Sequence, residues 1–392
     1  MRKTTVKTSQ AFKKLSLAAA VSLASASSFA ETSVADLAKN VELYGVLDFG
    51  VTWVDDEGGE SKVSGRDSVN WGNRIGLKGT IDLIPGYKGI FKLEHGFKLS
   101  DGVTSQYDTM WGRQAYAGVQ SDKYGTLTYG RQYDFMYDNF NQLNIGGYAS
   151  TYGGHHGDLD RISGWRIDNA IKYVSPYLNG FTFGVMYSSD DRAYADQGQP
   201  WGMGHAPLES MSAGASYFGG TWSVAAAYVK IENDTVYPLL QAGVPSLQGL
   251  TMDGIGTQAD REIFALGGFV MLGDFALVLN TTQTTLSDMV NSTGAADDDA
   301  TQNVYEIGGY YPIAEKTLLI GGYQHSELEE YDFDEVTLGV KYDFTDAAWL
   351  YTSYSYMEGS DDTFVNQGAA WYLENSSTNT QQTARIGMIL TF

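Results

Sequence analysis

Stretches of about ten residues recur along this chain with apolar and polar side chains in strict alternation, and the links between them are alternately short and long. Val41 to Trp53 is the cleanest case: Val41, Leu43, Leu47, Phe49, Val51 and Trp53 share one face, and Glu42, Tyr44, Asp48 and Thr52 the other. Phe91, Leu93, Phe97 and Leu99 repeat it against Lys92, Glu94 and Lys98. The short links are Pro85-Gly86, Asp122-Lys123, Leu178-Asn179, Gly219-Gly220, Leu272-Gly273, Ala314-Glu315 and Thr345-Asp346. Long polar links lie between them, at 54–67, 100–109, 134–167, 189–209, 231–260, 286–302, 328–333 and 359–378. A soluble sandwich has no reason for this asymmetry. A membrane barrel does, with short turns on the inner side and long loops outside. Seven turns and eight loops predict an all-β, antiparallel, transmembrane barrel of 16 strands.

The chain ends on the same pattern. Ile386, Met388, Leu390 and Phe392 form an apolar face, with Arg385, Gly387 and Thr391 opposite. A greasy-sided strand at the C-terminus fits the strand that closes a barrel, because an open edge in lipid leaves backbone groups unpaired.

The N-terminus reads as an export signal. Arg2, Lys3, Lys7, Lys13 and Lys14 precede a short apolar run, Leu15 to Leu23, and Ser28-Phe29-Ala30 fits a peptidase site. Residues 1–30 are therefore expected to be a signal peptide, 31–40 a short periplasmic extension and 41–392 the barrel. Losing five cations and no acid moves the formal charge from −22 to −27. There is no cysteine, so the exported fold has no disulfide to hold it. Mean hydropathy is −0.24, which a barrel and a soluble protein share. The 27 Tyr, 17 Phe and 8 Trp suit interfacial girdles.

The acidic surplus argues against nucleic acid as a partner. Acids cluster at Asp55-Asp56-Glu57, Asp297-Asp298-Asp299 and Glu327 to Asp334, in the long loops. They read either as solvated loop tips or as holders of Ca2+ or Mg2+ between external loops and lipopolysaccharide. No cofactor is expected otherwise. Adjacent His155-His156 lack a companion ligand at strand or helix spacing and read as loop polars, so no metal centre is expected there. No catalytic set is expected either: His325 and Ser326 are neighbours in a strand and point to opposite faces.

Several strings resemble the trimeric general diffusion porins of Gram-negative bacteria. They are Val41-Glu42-Leu43-Tyr44-Gly45, Arg74-Ile75-Gly76-Leu77-Lys78-Gly79, Arg113-Gln114-Ala115-Tyr116-Ala117-Gly118-Val119, Tyr129-Gly130-Arg131-Gln132-Tyr133 and Asp168-Asn169-Ala170-Ile171-Lys172-Tyr173, in that order. The resemblance implies a homotrimer in the outer membrane that passes ions and small hydrophilic solutes by diffusion. It implies that the third loop, 134–167, folds inward, and that Phe392 is an assembly signal. Two other functions stay open: a substrate-selective porin, and a barrel enzyme such as an outer-membrane phospholipase.

Strand parity adds the chemistry. A charge facing lipid at mid-depth costs roughly 2–4 kcal/mol, so Arg74, Lys78, Lys92, Lys98 and Arg385 should face the lumen. The resemblance places Arg113 with them. Asp134, Asp138, Asp158 and Asp160 on the third loop should then face this basic wall across the channel. The neutral run Asn141 to Tyr148 stands where enterobacterial members carry acids, so the constriction is expected to be either less acidic than theirs or rebuilt from Asp158 and Asp160. Arg131 shares parity with Leu127 and Tyr129, the outward set, which points to the membrane rim or the trimer interface. With acidic mouth and loops, a weak preference for cations is expected.

Overall fold

Alternation dictates the architecture, because each strand has one face for lipid and one for the lumen. The computed structural model describes residues 40–106, 109–189, 209–236, 257–290, 299–361, 363–367 and 373–392. The expected signal peptide and most of the extension lie outside the described residues. Leu43–Phe392 is one compact unit.

The first strands are β1 (Val41–Glu57), β2 (Glu60–Asp67), β3 (Arg74–Ile84), β4 (Tyr87–Gly96), β5 (Gln114–Ser121) and β6 (Gly125–Tyr133). After the long third loop come β7 (Arg166–Val174), β8 (Phe181–Ser188), β9 (Ser210–Phe218), β10 (Trp222–Val236), β11 (Thr257–Leu272) and β12 (Phe275–Val290). The last are β13 (Ala300–Ala314), β14 (Thr317–Leu328), β15 (Tyr331–Thr345), β16 (Ala348–Gly359) and β17 (Thr380–Thr391). Apart from β2 and β3, which both pair with β1, each strand pairs antiparallel with its sequence neighbours, and β1 pairs with β17, so the sheet closes on itself. Both β2 and β3 pair with β1 and are two pieces of one wall strand, which gives a 16-stranded barrel.

That interruption differs from the sequence expectation. Residues 54–67 read as a loop because Asp55 to Lys62 is polar. In the structure β1 and β2 continue through it as a hairpin, turning at Gly58 and Gly59 with φ of 67° and 88°. The irregular stretch is 68–73 instead. Its backbone is held by Asp48, whose Oδ2 accepts from Asn70 N (2.6 Å) and Trp71 N (2.9 Å), while Asn73 Oδ1 accepts from Asp48 N (2.6 Å).

Parity holds around most of the wall. Leu43, Phe49, Val51, Ile386 and Phe392 are exposed on the outside. Asp48, Thr52 and Arg385 are buried on the inside. The apolar core is not between two sheets. It lies between the wall and the third loop, whose Phe135, Met136, Phe140 and Ile145 pack on Ala225, Ala227, Ile263 and Val278.

Candidate functional site: the narrowed section of the barrel

The third loop runs from Asp134 to Trp165 inside the barrel and forms two short helices, α1 (Phe135–Phe140) and α2 (Ile145–Ala149). Its position follows from what the wall leaves free. Gly322 and Gly339 lack side chains where α2 approaches: a Cβ there would lie 3.2 Å from Ile145 Cγ2 and 3.0 Å from Ala149 Cβ. Glu306 of β13 accepts from Gly146 N at 2.7 Å. Tyr310 donates to Gln142 O at 3.1 Å.

A loop buried this way carries backbone donors that water cannot reach, and its acids answer them. Asp134 caps α1, accepting from Met136 N (3.1 Å) and Tyr137 N (3.2 Å), and pairs with Arg161 at 2.9 Å. Asp158 accepts from Trp165 Nε1 (2.7 Å) and from Ser163 N (3.1 Å) and its hydroxyl. Asp160 lies 2.5 Å from His155 Nδ1 and accepts from Thr282 Oγ1 at 2.7 Å. Burial, with Asp160 beside it, pushes the Asp158 carboxyl up to about 6. Burial disfavours the His155 imidazolium, but Asp160 and then Glu306 outweigh it and push His155 up to about 10. His156 lays its ring on Phe333, centroids 3.8 Å apart. Asp138 pairs with Lys172 of β7 and borders the cavity.

The cavity that remains has a volume of about 1560 Å³. Arg74, Arg113 and Arg166 reach it from the wall, and Tyr133 and Tyr137 face them. The two tyrosine rings stack at 3.9 Å. Arg113 donates from Nη2 to Tyr133 Oη at 3.1 Å, and Arg166 donates from Nη2 to the same oxygen at 2.6 Å. Arg113 is also paired with Glu94 through Nε at 2.8 Å. Arg74 stands over Trp71, 6.0 Å from the ring centre. Neither Arg74 nor Arg166 has a carboxylate in ion-pair contact among the described residues. Loop acids and wall cations therefore do not confront one another as a set. Three arginines confront two phenols.

The other sequence candidates flank this cluster or, like Arg385, sit apart from it. Lys78 and Lys92 hold their ammonium groups 5.3 and 5.6 Å from the Tyr44 ring centre, and Lys92 is 3.6 Å from Glu94. Lys98 borders the cavity. Arg385 is buried, 3.4 Å from Asp48, and donates to Tyr351 Oη (2.6 Å) and Thr52 Oγ1 (2.9 Å). Arg131 keeps the parity of Tyr129 and stands opposite a bulge on β7, where Asp168 and Asn169 lie between the Gly130–Ala170 and Gln132–Ile167 pairs. It pairs with Asp168 at 2.6 Å, donates to Gly112 O at 2.7 Å and borders the cavity.

Sequence reasoning passed over Arg166, Arg161, Tyr133 and Tyr137. A signal existed: Arg161 and Arg166 are the cations of the third loop and its exit, and Tyr133 and Tyr137 are one helical turn apart.

A family model described as Gram-negative porin matches residues 16–362. Outer membrane porin protein 32 of Delftia acidovorans is 26% identical over 89% of this chain and 90% of its own. An outer membrane porin protein of Bordetella pertussis is 30% identical over 48% of this chain, which spans about half (53%) of that relative's length. Among solved structures, an anion-selective porin from Comamonas acidovorans superposes with a TM-score of 0.71 at 20% identity, covering 90% of this chain and 99% of the other.

Proposed function

The chain belongs to the Gram-negative porin family, channels of the bacterial outer membrane, and from that premise we propose that its narrow section passes small anions in preference to cations. One observation carries this reading. Arg113 and Arg166 both donate to one phenol oxygen, Tyr133 Oη, with Arg74 on the same cavity. Those donors are oriented for an oxygen that bears charge, and a passing oxyanion or halide offers more than the phenol does. The nearby acids are engaged. Asp134, Asp158 and Asp160 are tied into the loop, and Asp138 is tied to Lys172.

The chain's formal charge of −22 argues for cations. Distance decides between the two. Acids at the loop tips are screened over about 8 Å at physiological salt, whereas arginines at the narrowest section act on an ion in contact with them. The porin of the Comamonas structure is named anion-selective, which agrees with this reading. In this reading Arg74 and Arg113 are the basic wall of the narrow section. Lys78 and Lys92 serve as a second basic group around Tyr44, linked to Arg113 through Glu94, and Arg385 as a buried structural cation. A homotrimer with Phe392 as assembly signal, seated among outer-membrane lipid and lipopolysaccharide, belongs to the same proposal.

The test is a reversal potential across a planar bilayer in a salt gradient. A potential of the sign set by anions is the expected result. The cation sign would overturn the proposal and restore the acidic mouth as the selective element.

A further inference from the structure

Away from the cavity, one group of side chains brings a nitrogen donor together with carboxylates. His325 and Glu327 stand on β14, Asp332 and Asp334 on β15. Strand register sets His325 opposite Asp334 and Glu327 opposite Asp332. On β14, Leu319 and Tyr323 are exposed on the outer wall, and His325 and Glu327 share their parity. The group therefore sits on the outside of the barrel, beside the two-residue turn that joins these strands. Ligand atoms of His325, Glu327 and Asp332 lie within 4.8 Å of one another.

The imidazole is held in a particular way. His325 Nδ1 lies 2.9 Å from Asp334 Oδ1, which also accepts from Tyr323 Oη at 2.5 Å. Tyr305 stacks on the ring with centroids 6.4 Å apart and planes 19° from parallel. A carboxylate on Nδ1 fixes the proton there and leaves the Nε2 lone pair for a metal. Nε2 faces Glu327 Oε1 at 3.7 Å. That is too long for a hydrogen bond. It is near the gap of roughly 3.3 Å between two ligands that each bind a tetrahedral zinc at about 2.0–2.1 Å.

We propose that His325, Glu327 and Asp332 form a binding site for a divalent transition-metal ion of the zinc class at the outer rim, with Asp334 as a positioning residue. One nitrogen and two carboxylates suit zinc better than calcium, which takes six to eight oxygens, or magnesium, which takes an octahedron of them. Three protein ligands leave a fourth position for water. The strands bearing the ligands are paired up to the turn, so the site is built on rigid elements rather than on loop. The site is independent of conduction through the cavity.

The experiment uses the purified full-length protein in detergent, stripped with chelator and then titrated with Zn2+ against a chromophoric competitor. One tight zinc per chain is expected. Binding should weaken at least tenfold (roughly the effect of losing a ligand or its support) in His325→Ala and Glu327→Gln. Asp334→Asn should weaken it by a smaller factor with the stoichiometry kept. Co2+ in place of Zn2+ should give visible absorption that His325→Ala abolishes. His95→Ala, at a distant strand position, should leave binding as in the wild type, and circular dichroism should verify the barrel in each variant. Equal zinc affinity in wild type and His325→Ala would overturn the proposal, as would displacement of zinc by calcium at matched concentration.

Discussion

The ring of Phe392 covers Gly45, and the two residues exchange backbone hydrogen bonds: Gly45 N donates to Phe392 O at 2.9 Å and Phe392 N to Gly45 O at 3.2 Å. The last residue of the chain is thereby stitched to the first strand at the seam that closes the barrel. Gly45 leaves the ring its place, because a Cβ there would meet it. Removal of Phe392 takes away both bonds and an outward aromatic at the membrane edge. Loss of Phe392 should lower the yield of heat-modifiable, detergent-resistant protein in the outer membrane while export continues. Full yield from the truncated chain would dissociate the seam from assembly.

Arg74 and Arg166 can be neutralised without stranding an acid, and this separates selectivity from stability. The Arg74→Gln, Arg166→Gln double variant should fold normally and move the anion-to-cation permeability ratio toward cations by roughly tenfold, about 1.4 kcal/mol. Reversal potentials measure this directly. The same change at Lys62, an exposed partner of Glu374 at 3.3 Å, should do far less. An unchanged ratio in the double variant would show that neither arginine lines the selective section.

Arg113 should behave differently. Its Nε is 2.8 Å from a buried Glu94, which also accepts from Tyr44 Oη at 2.7 Å. Arg113→Gln leaves that carboxylate poorly paired, so a loss of about 3–5 kcal/mol is expected on top of any selectivity change. The Arg113→Gln, Glu94→Gln pair should recover part of it. Thermal melting of the detergent-solubilised barrel is the measurement, and a single variant as stable as wild type would contradict the pairing.

These contrasts mark where the sequence was legible. Period-2 alternation and turn residues are local, so barrel, strand number and the inward parity of Arg74 and Arg385 could be read from the chain alone. The seats of the loop acids could not. Asp160 meets Thr282, and Gly146 meets Glu306, across more than a hundred residues. The bulge on β7 opposite Arg131 has no signal beyond one asparagine, Asn169, at a φ of 50°. Expectation set Asp134, Asp158 and Asp160 against wall cations because it treated the loop as solvated. Once the loop is buried, its own amides and Arg161 claim those acids first.

The hub most easily overlooked was Asp48, one polar residue among several on its face. Fully buried, it accepts from Asn70 N, Trp71 N and Tyr351 Oη (2.7 Å) and lies beside Arg385. Asp48→Asn should cost about 3–5 kcal/mol, because Arg385 keeps its charge and loses the acid opposite it. Chemical unfolding in urea would record this as a lower midpoint. A midpoint equal to wild type would mean that Tyr351 and Thr52 alone satisfy Arg385.

Acidity should act on the channel through Asp158. Asp158 lies on the loop that lines the cavity, and its buried carboxyl is pushed up to about 6, first by burial and then by the charge of Asp160. At pH 7 it is ionised; at pH 5 it is mostly neutral. Burial also raises Asp138, partly offset by Lys172, so its change runs in the same direction. His155 at about 10 stays cationic throughout, and Asp160, held below the usual range by His155 against the effect of burial, stays anionic. Each protonation removes a negative charge from the loop that lines the cavity. Anion preference should therefore rise as the pH falls from 7 to 5, the window set by the raised Asp158 carboxyl. Asp158→Asn should show the raised preference already at pH 7 and a flatter profile below it. Reversal potentials taken across this window decide the matter: a preference that falls with acidity would place the governing carboxylates elsewhere.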